Sequence, residues 1–250
     1  MSTQSTIVST QDSDKCSLPE SPCSPLLDFR LGDCMDVMRT FPDGHFDLAI
    51  VDPPYGIARL SVEENLSADS KHRRSMAKMV NSAKAWNHKK PDAEYFAELF
   101  RVSRNQIVWG ANNYDMPPSE YFCVWDKKQT VPNFASAEYA WVSMNWKMPA
   151  KVFRYQIHGA ASDDGKKIHP TQKPVALYKW LLANYAKPGQ RVLDTHMGSG
   201  SIAIACHYAG HHLTACEIDA EYYAAAVARI NRETAQRDFF SENAAPSMKP

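Results

Sequence analysis

Short apolar runs that stop at an acid recur along this chain. Leu48-Ala49-Ile50-Val51 is continuously apolar, as a strand covered on both faces requires, and it ends at Asp52-Pro53-Pro54-Tyr55-Gly56. Two prolines cannot donate backbone hydrogen bonds, so pairing must stop there with Asp52 and Tyr55 presented at the strand's carboxyl end. Phe29 to Asp33 reads as a short edge strand, Cys34 to Thr40 as a helical turn, and Pro42-Asp43-Gly44 as a turn. Pro91 opens a predicted helix with Tyr95, Phe96, Leu99 and Phe100 on one stripe. Gln106 to Trp109, closed by Gly110, and Tyr121 to Asp126 read as strands. Glu138 to Met144 and Val152 to Tyr155 read as antiparallel strands that finish the sheet. The tryptophans among them (Trp109, Trp125, Trp141, Trp146) are expected mostly in the core.

A helix starting near Pro174 carries Leu177, Trp180 and Leu181. The clearest unit follows Lys187-Pro188-Gly189. Val192-Leu193-Asp194 predicts a strand, Gly198-Ser199-Gly200-Ser201 a tight turn, Ile202 to Tyr208 a helix and Leu213 to Ile218 the next strand. Glu221 to Arg232 is an alanine-rich final helix, with the polar residues after Thr234 expected to fray. Strands alternating with helices predict an α/β fold.

Length and composition bound this picture. At 250 residues, 44% of them hydrophobic, the chain suffices for one domain with a sizeable core. Mean hydropathy is −0.45 and no apolar run approaches spanning length, so a membrane protein is not expected. Residues 1–27 are polar and proline-punctuated, which predicts a disordered tail without the apolar centre of a signal peptide. Residues 28–235 then form the domain and 236–250 a flexible tail, in an intracellular, cytoplasmic protein. The six cysteines include no Cys-x-x-Cys pair and read as buried or inert thiols, and no metal site is expected.

Net charge is zero, but Lys71, Arg73, Arg74, Lys78, Lys84, Lys89 and Lys90 fall in a span without an acid. The 58–90 stretch is too long for a routine connection, so it reads as a DNA-contacting loop, a lid, or a solvated face.

Two groups of residues carry candidate chemistry. Gly198 and Gly200 let backbone approach a ligand, at a helix amino terminus whose N–H groups are free. Glu217 lies about where a ribose-binding carboxylate belongs in such a unit. The third glycine of a dinucleotide fingerprint is missing, and Asp194 ahead of the turn would repel a pyrophosphate. An acid there suits a ligand carrying an ammonium and a sulfonium, which points to S-adenosylmethionine. The other group is Asp52 to Tyr55: an acceptor, a rigid turn with a free carbonyl and a stacking ring.

Asp52-Pro53-Pro54-Tyr55, then His169-Pro170-Thr171-Gln172-Lys173-Pro174, then Asp194 with Gly198-Ser199-Gly200 resembles the amino-methylating (adenine-N6 or cytosine-N4) DNA methyltransferases in their beta-group order. The resemblance runs from about Phe29 to Arg232. It implies a Rossmann-like S-adenosylmethionine-dependent methyltransferase fold with circularly permuted motif order and a mixed sheet with helices on both faces. It also implies that Asp52 and the Pro53 carbonyl accept the two hydrogens of a base's exocyclic amine, with Pro54 shaping the loop. Tyr55 would stack on that base after flipping.

Asp194, Gly198, Ser199, Gly200 and Ser201 would form the turn that holds the methionine end of the cofactor, and Glu217 would hold its ribose. Asp33 would meet its adenine. Lys173 would pair with its carboxylate, with the Thr171 hydroxyl nearby. The family's usual Pro-Phe after the acid is replaced here by Thr195-His196, and His196 either touches the cofactor or packs as an aromatic residue. The activity implied is N6-methyladenine formation in DNA, as in restriction-modification. Cytosine-N4 methylation and a non-catalytic DNA-binding subunit on the same scaffold are the alternatives. The span left for target recognition is short, which leaves room for a homodimer.

Overall fold

The computed structural model describes residues 26–56, 90–129, 135–143, 150–156 and 167–242, with side chains described as far as 235. The amino-terminal tail with Cys16 and Cys23, nearly all of the basic 58–90 stretch with Trp86, and Trp146 lie outside the described residues.

Eight strands form one sheet: β1 (Leu27–Leu31), β2 (Leu48–Val51), β3 (Gln106–Trp109), β4 (Phe122–Asp126), β5 (Ala137–Val142), β6 (Lys151–Arg154), β7 (Arg191–Asp194) and β8 (His212–Glu217). Their spatial order is β1-β8-β7-β2-β3-β5-β4-β6. Among the described residues five α-helices accompany them: α1 (Cys34–Arg39), α2 (Ala93–Val102), α3 (Val175–Tyr185), α4 (Ser201–Ala209) and α5 (Ala220–Glu242). The expected α/β fold with a mixed sheet is observed.

Strand alternation assigns each residue to a face. Leu48 and Ile50 pack with Leu177, Leu181, Ile202 and Ile230 from α3, α4 and α5. Their neighbours Ala49 and Val51 pack with Met38, Tyr95 and Leu99 from α1 and α2. The apolar run of β2 is therefore buried on both sides, all four residues being at most 1% exposed. Trp109, Trp125 and Trp141 are core residues as expected.

Three expectations need correction. Among the described strands only β5 runs against the sheet: it pairs antiparallel with β3 and β4, whereas β6 pairs parallel with β4. Val152 to Tyr155 alternates like any half-buried strand, and alternation carries no direction. Helix α2 starts at Ala93, because the Asp92 side chain caps it by accepting from Tyr95 N at 3.1 Å. Helix α5 continues to Glu242, past the expected end near Arg232, since the polar residues there include good helix formers.

One consequence of the topology shapes the site. β1, β8, β7, β2, β3 and β4 run the same way, so their carboxyl ends share one edge. That edge collects Glu217, Asp194, Asp52 and Asp126 at strand ends, with Asp33 two residues past β1. Because β5 is reversed, its beginning, with Glu138, lies at the same edge.

Candidate active site

A cavity of about 310 Å³ opens at this edge, where the order turns from β7 to β2. Asp33, Asp52, Pro53, Pro54, Tyr55, Thr171, Lys173, His196, Gly198, Ser199, Ser201 and Glu217 all line it. Residues separated by more than 180 positions thus converge. Of the expected site residues, Asp194 and Gly200 stand behind the wall.

Both oxygens of the Asp52 carboxylate have protein partners. Its Oδ1 accepts the Tyr55 hydroxyl at 2.7 Å, and its Oδ2 is ion-paired with Lys173 Nζ. The Pro53 carbonyl accepts the Tyr114 hydroxyl at 2.7 Å, and the same hydroxyl reaches the Pro54 carbonyl at 3.2 Å. Both acceptors expected to meet an amine are therefore held by tyrosine hydroxyls. Tyr55 lies against the backbone of Gly110, whose φ is +66°; a Cβ built there would stand 2.1 Å from Tyr55 Cε1. Only glycine permits that approach. Burial, then the neighbouring Asp52 and Glu138 charges, pushes the Tyr55 phenol well up, so it remains a donor.

Lys173 lines the cavity beside Asp52. Its ammonium, 4% exposed as a residue, meets the chain's own acids, Asp52 and Glu138 (3.1 Å), with the Tyr55 oxygen at 3.4 Å. Lys173 thus lines the cavity while ion-paired with two of the chain's own acids. Burial opposes its charge, yet Asp52 and Glu138 hold its pKa well above the ordinary lysine value.

The glycine turn is fastened from several sides. Glu217 accepts from Gly198 N at 2.9 Å and from Asp219 N at 3.0 Å, leaving lone pairs toward the cavity. Burial raises its pKa despite these bonds. Ser201 Oγ accepts from Arg229 Nη1 at 2.9 Å and contacts Ser199 Oγ at 3.1 Å. Gly200 was expected to bring backbone to a ligand, but its open side faces α5: a Cβ there would be 2.7 Å from Ile230 Cδ1. Its role is close helix packing, which the glycine spacing alone does not distinguish.

Asp194, 2% exposed, accepts from His196 N at 3.0 Å. Burial pushes its pKa up to about 7, with Asp52 and Glu217 adding to the rise. Thr195 Oγ1 lies 2.6 Å from the Tyr95 hydroxyl and 2.9 Å from His196 Nδ1. Thr195-His196 is thus hydrogen-bonded to α2, a link that a Pro-Phe pair could not make. His196 lines the cavity and also meets Tyr95 edge-on at 5.7 Å between centroids, so it packs as an aromatic residue at the cavity wall. Burial lowers His196 and His169 to about 4, leaving both imidazoles neutral at pH 7.

Asp33 is exposed at the rim, where its side chain caps α1 by accepting from Met35 N at 2.7 Å. Thr171 is exposed at the rim too, its hydroxyl 3.1 Å from His169 Nδ1. Burial pushes the Cys34 and Cys123 thiols up to about 12, so neither is a thiolate nucleophile at neutral pH.

Among the lining residues, three carboxylates (Asp33, Asp52, Glu217) face one ammonium, Lys173. The surplus of negative charge, with buried Asp194 behind it, fits a ligand that brings positive charge.

Sequence reading missed Tyr114, Glu138, Lys127 and Tyr95 as parts of the site. Each reads as an ordinary strand, helix or loop residue, and no local signal marks it.

Comparison with known proteins agrees with this geometry. Residues 125–228 match the family model for N6/N4 methyltransferases, described as DNA methylase. YubD of Escherichia coli (strain K12), named as a methylase, is 25% identical over 205 residues, covering 81% of this chain and 89% of the relative. Among solved structures, the M1.HpyAVI–SAM complex shares 18% identity at a TM-score of 0.53, covering 82% of this chain and 100% of that one. The PvuII DNA methyltransferase, cytosine-N4-specific, shares 12% identity at a TM-score of 0.55, covering 86% and 92%. At these identities the two structures establish a shared fold.

Proposed function

We propose that this chain, which matches the N6/N4 DNA methylase family model over residues 125–228, methylates the exocyclic amine of a flipped adenine in DNA, using S-adenosylmethionine. One observation carries most weight: Asp52 and the Pro53 carbonyl stand side by side at the rim of an acid-lined cavity.

When bound, S-adenosylmethionine supplies an electrophilic methyl group on a cationic sulfonium. Gly198, Ser199, Ser201 and Glu217 would hold it, with Asp33, Thr171 and His196 around it and the Asp194 charge behind the turn. The surplus of carboxylates supports a ligand bearing an ammonium and a sulfonium.

A base amine is a poor nucleophile because its lone pair is delocalised into the ring. Asp52 Oδ1 and the Pro53 carbonyl would each accept one N–H, favouring a tetrahedral nitrogen and freeing the lone pair. Oδ1 has a second lone pair for this beside the one that accepts the Tyr55 hydroxyl. The Tyr55 ring would stack on the flipped base. The rest is in-line placement, a positioning problem.

Incubation with tritiated S-adenosylmethionine and DNA, followed by hydrolysis to nucleosides, tests the proposal. Label in N6-methyladenine is expected. Label in N4-methylcytosine would replace the target base, and no label in DNA would favour a non-catalytic DNA-binding subunit.

A further inference from the structure

Behind Asp52 lies a line of alternating charges that the reaction as described does not use. Lys173 Nζ bridges Asp52 and Glu138, and Glu138 Oε1 is in turn ion-paired with Lys127 Nζ at 2.5 Å. The four side chains are between 3% and 20% exposed, so solvent screens them little. Two carboxylates and two ammonium groups alternate within the line, so each part-buried charge faces an opposite one. Burial would raise the Glu138 pKa, but Lys173 and Lys127 together hold it well below its ordinary value.

The topology explains how they meet. Lys127 follows β4 directly, and Glu138 is the second residue of β5, which runs the opposite way and pairs with β4, Trp125 facing Glu138 in register. Lys173 comes from the loop before α3 and Asp52 from the end of β2. The ammonium also lies 5.6 Å from the Trp109 ring centroid and 5.9 Å from that of Tyr55.

A lysine bound to Asp52 alone would draw fully on the carboxylate that must accept an amine. Glu138 takes a share of the same ammonium and anchors it from the far side. We propose that Glu138, steadied by Lys127, is a positioning residue that tethers Lys173 so that Asp52 keeps its orientation and an open acceptor for the target amine. The proposal rests on the methyl-transfer reading for its kinetic consequence but not for its structural one.

Glu138→Gln, which keeps the shape and removes the charge, should lower kcat by roughly tenfold, the scale of one charge-assisted contact. KM for S-adenosylmethionine should stay within about twofold, since Glu138 does not line the cavity. Glu138→Asp should recover part of the loss, and Lys127→Met should reproduce a smaller one. Equal kcat in wild type and Glu138→Gln, or a loss confined to KM, would overturn the proposal. So would a Glu138→Asp variant no better than Glu138→Gln.

The tether can also be read without turnover, by 15N NMR of the lysine ammonium groups. Lys173 should show a slowly exchanging ammonium resonance that Glu138→Gln abolishes while a folded amide spectrum persists. An unchanged resonance overturns the tether. If wild type transfers no methyl group at all, the proposed function fails, and this resonance still decides the tether by itself.

Discussion

The Tyr114 hydroxyl donates to the Pro53 carbonyl at 2.7 Å, so an acceptor assigned to the substrate amine already has a protein donor. A carbonyl oxygen has two lone pairs and can keep this bond while accepting a second. Tyr114 therefore fixes the direction in which the free lone pair points. Tyr114→Phe keeps the ring contact with Phe96, 5.2 Å between centroids, and removes only the hydroxyl. It is expected to lower kcat by about three- to tenfold and stability by about 1 kcal/mol. Steady-state kinetics with urea unfolding checks both.

Asp52→Ala removes the acceptor and leaves Lys173 paired with Glu138 alone. Methyl transfer should fall by at least about a thousandfold, as when a preorganised contact to the reacting group is lost. S-adenosylmethionine should still bind with wild-type affinity within about threefold, because the glycine turn is untouched. Single-turnover label transfer and titration calorimetry separate the two effects. Asp52→Asn should also be impaired, since it loses the charged acceptor.

Asp194 sets a pH dependence. Its carboxyl titrates at about 7 in the ligand-free fold, raised by burial, against 3.8 ordinarily. A raised folded pKa means that this group's contribution to stability is present at acid pH and is lost as pH rises toward 7. A cationic ligand favours the ionised form and lowers that pKa. Binding of S-adenosylmethionine should therefore strengthen with rising pH up to about 7 and release close to one proton per ligand near pH ~6. Calorimetry in buffers of different ionisation enthalpy measures the proton count, which Asp194→Asn should abolish.

Gly110→Ala tests the seat of Tyr55. A methyl group 2.1 Å from Tyr55 Cε1 must displace the ring, and alanine at φ +66° adds strain of about 1 kcal/mol. The variant should fold with a modestly lower Tm, while the Tyr55–Asp52 bond is lost and KM for DNA rises severalfold. Tyr55 side-chain NMR and kinetics at varied DNA concentration report these outcomes.

Local order determined much of this protein at the level of the chain. The apolar run of β2 needs cover on both faces, the two prolines end its pairing, and the Asp194 to Glu217 unit is strand, turn, helix and strand. These are short-range constraints, so the acids at strand ends and the turn near the helix amino terminus were legible without a fold.

Tertiary structure decided what those residues face. The direction of β5 brings Glu138 to the edge that holds Asp52, although 85 intervening residues separate them in the chain. Packing against α5 places Gly200, and the fold pairs Lys173 with two part-buried acids from distant strands. Hydrophobic periodicity says which face of an element is buried, but not which neighbour covers it. Buried charges and hydroxyls must find partners wherever the fold brings them together, and those partners here come from distant elements.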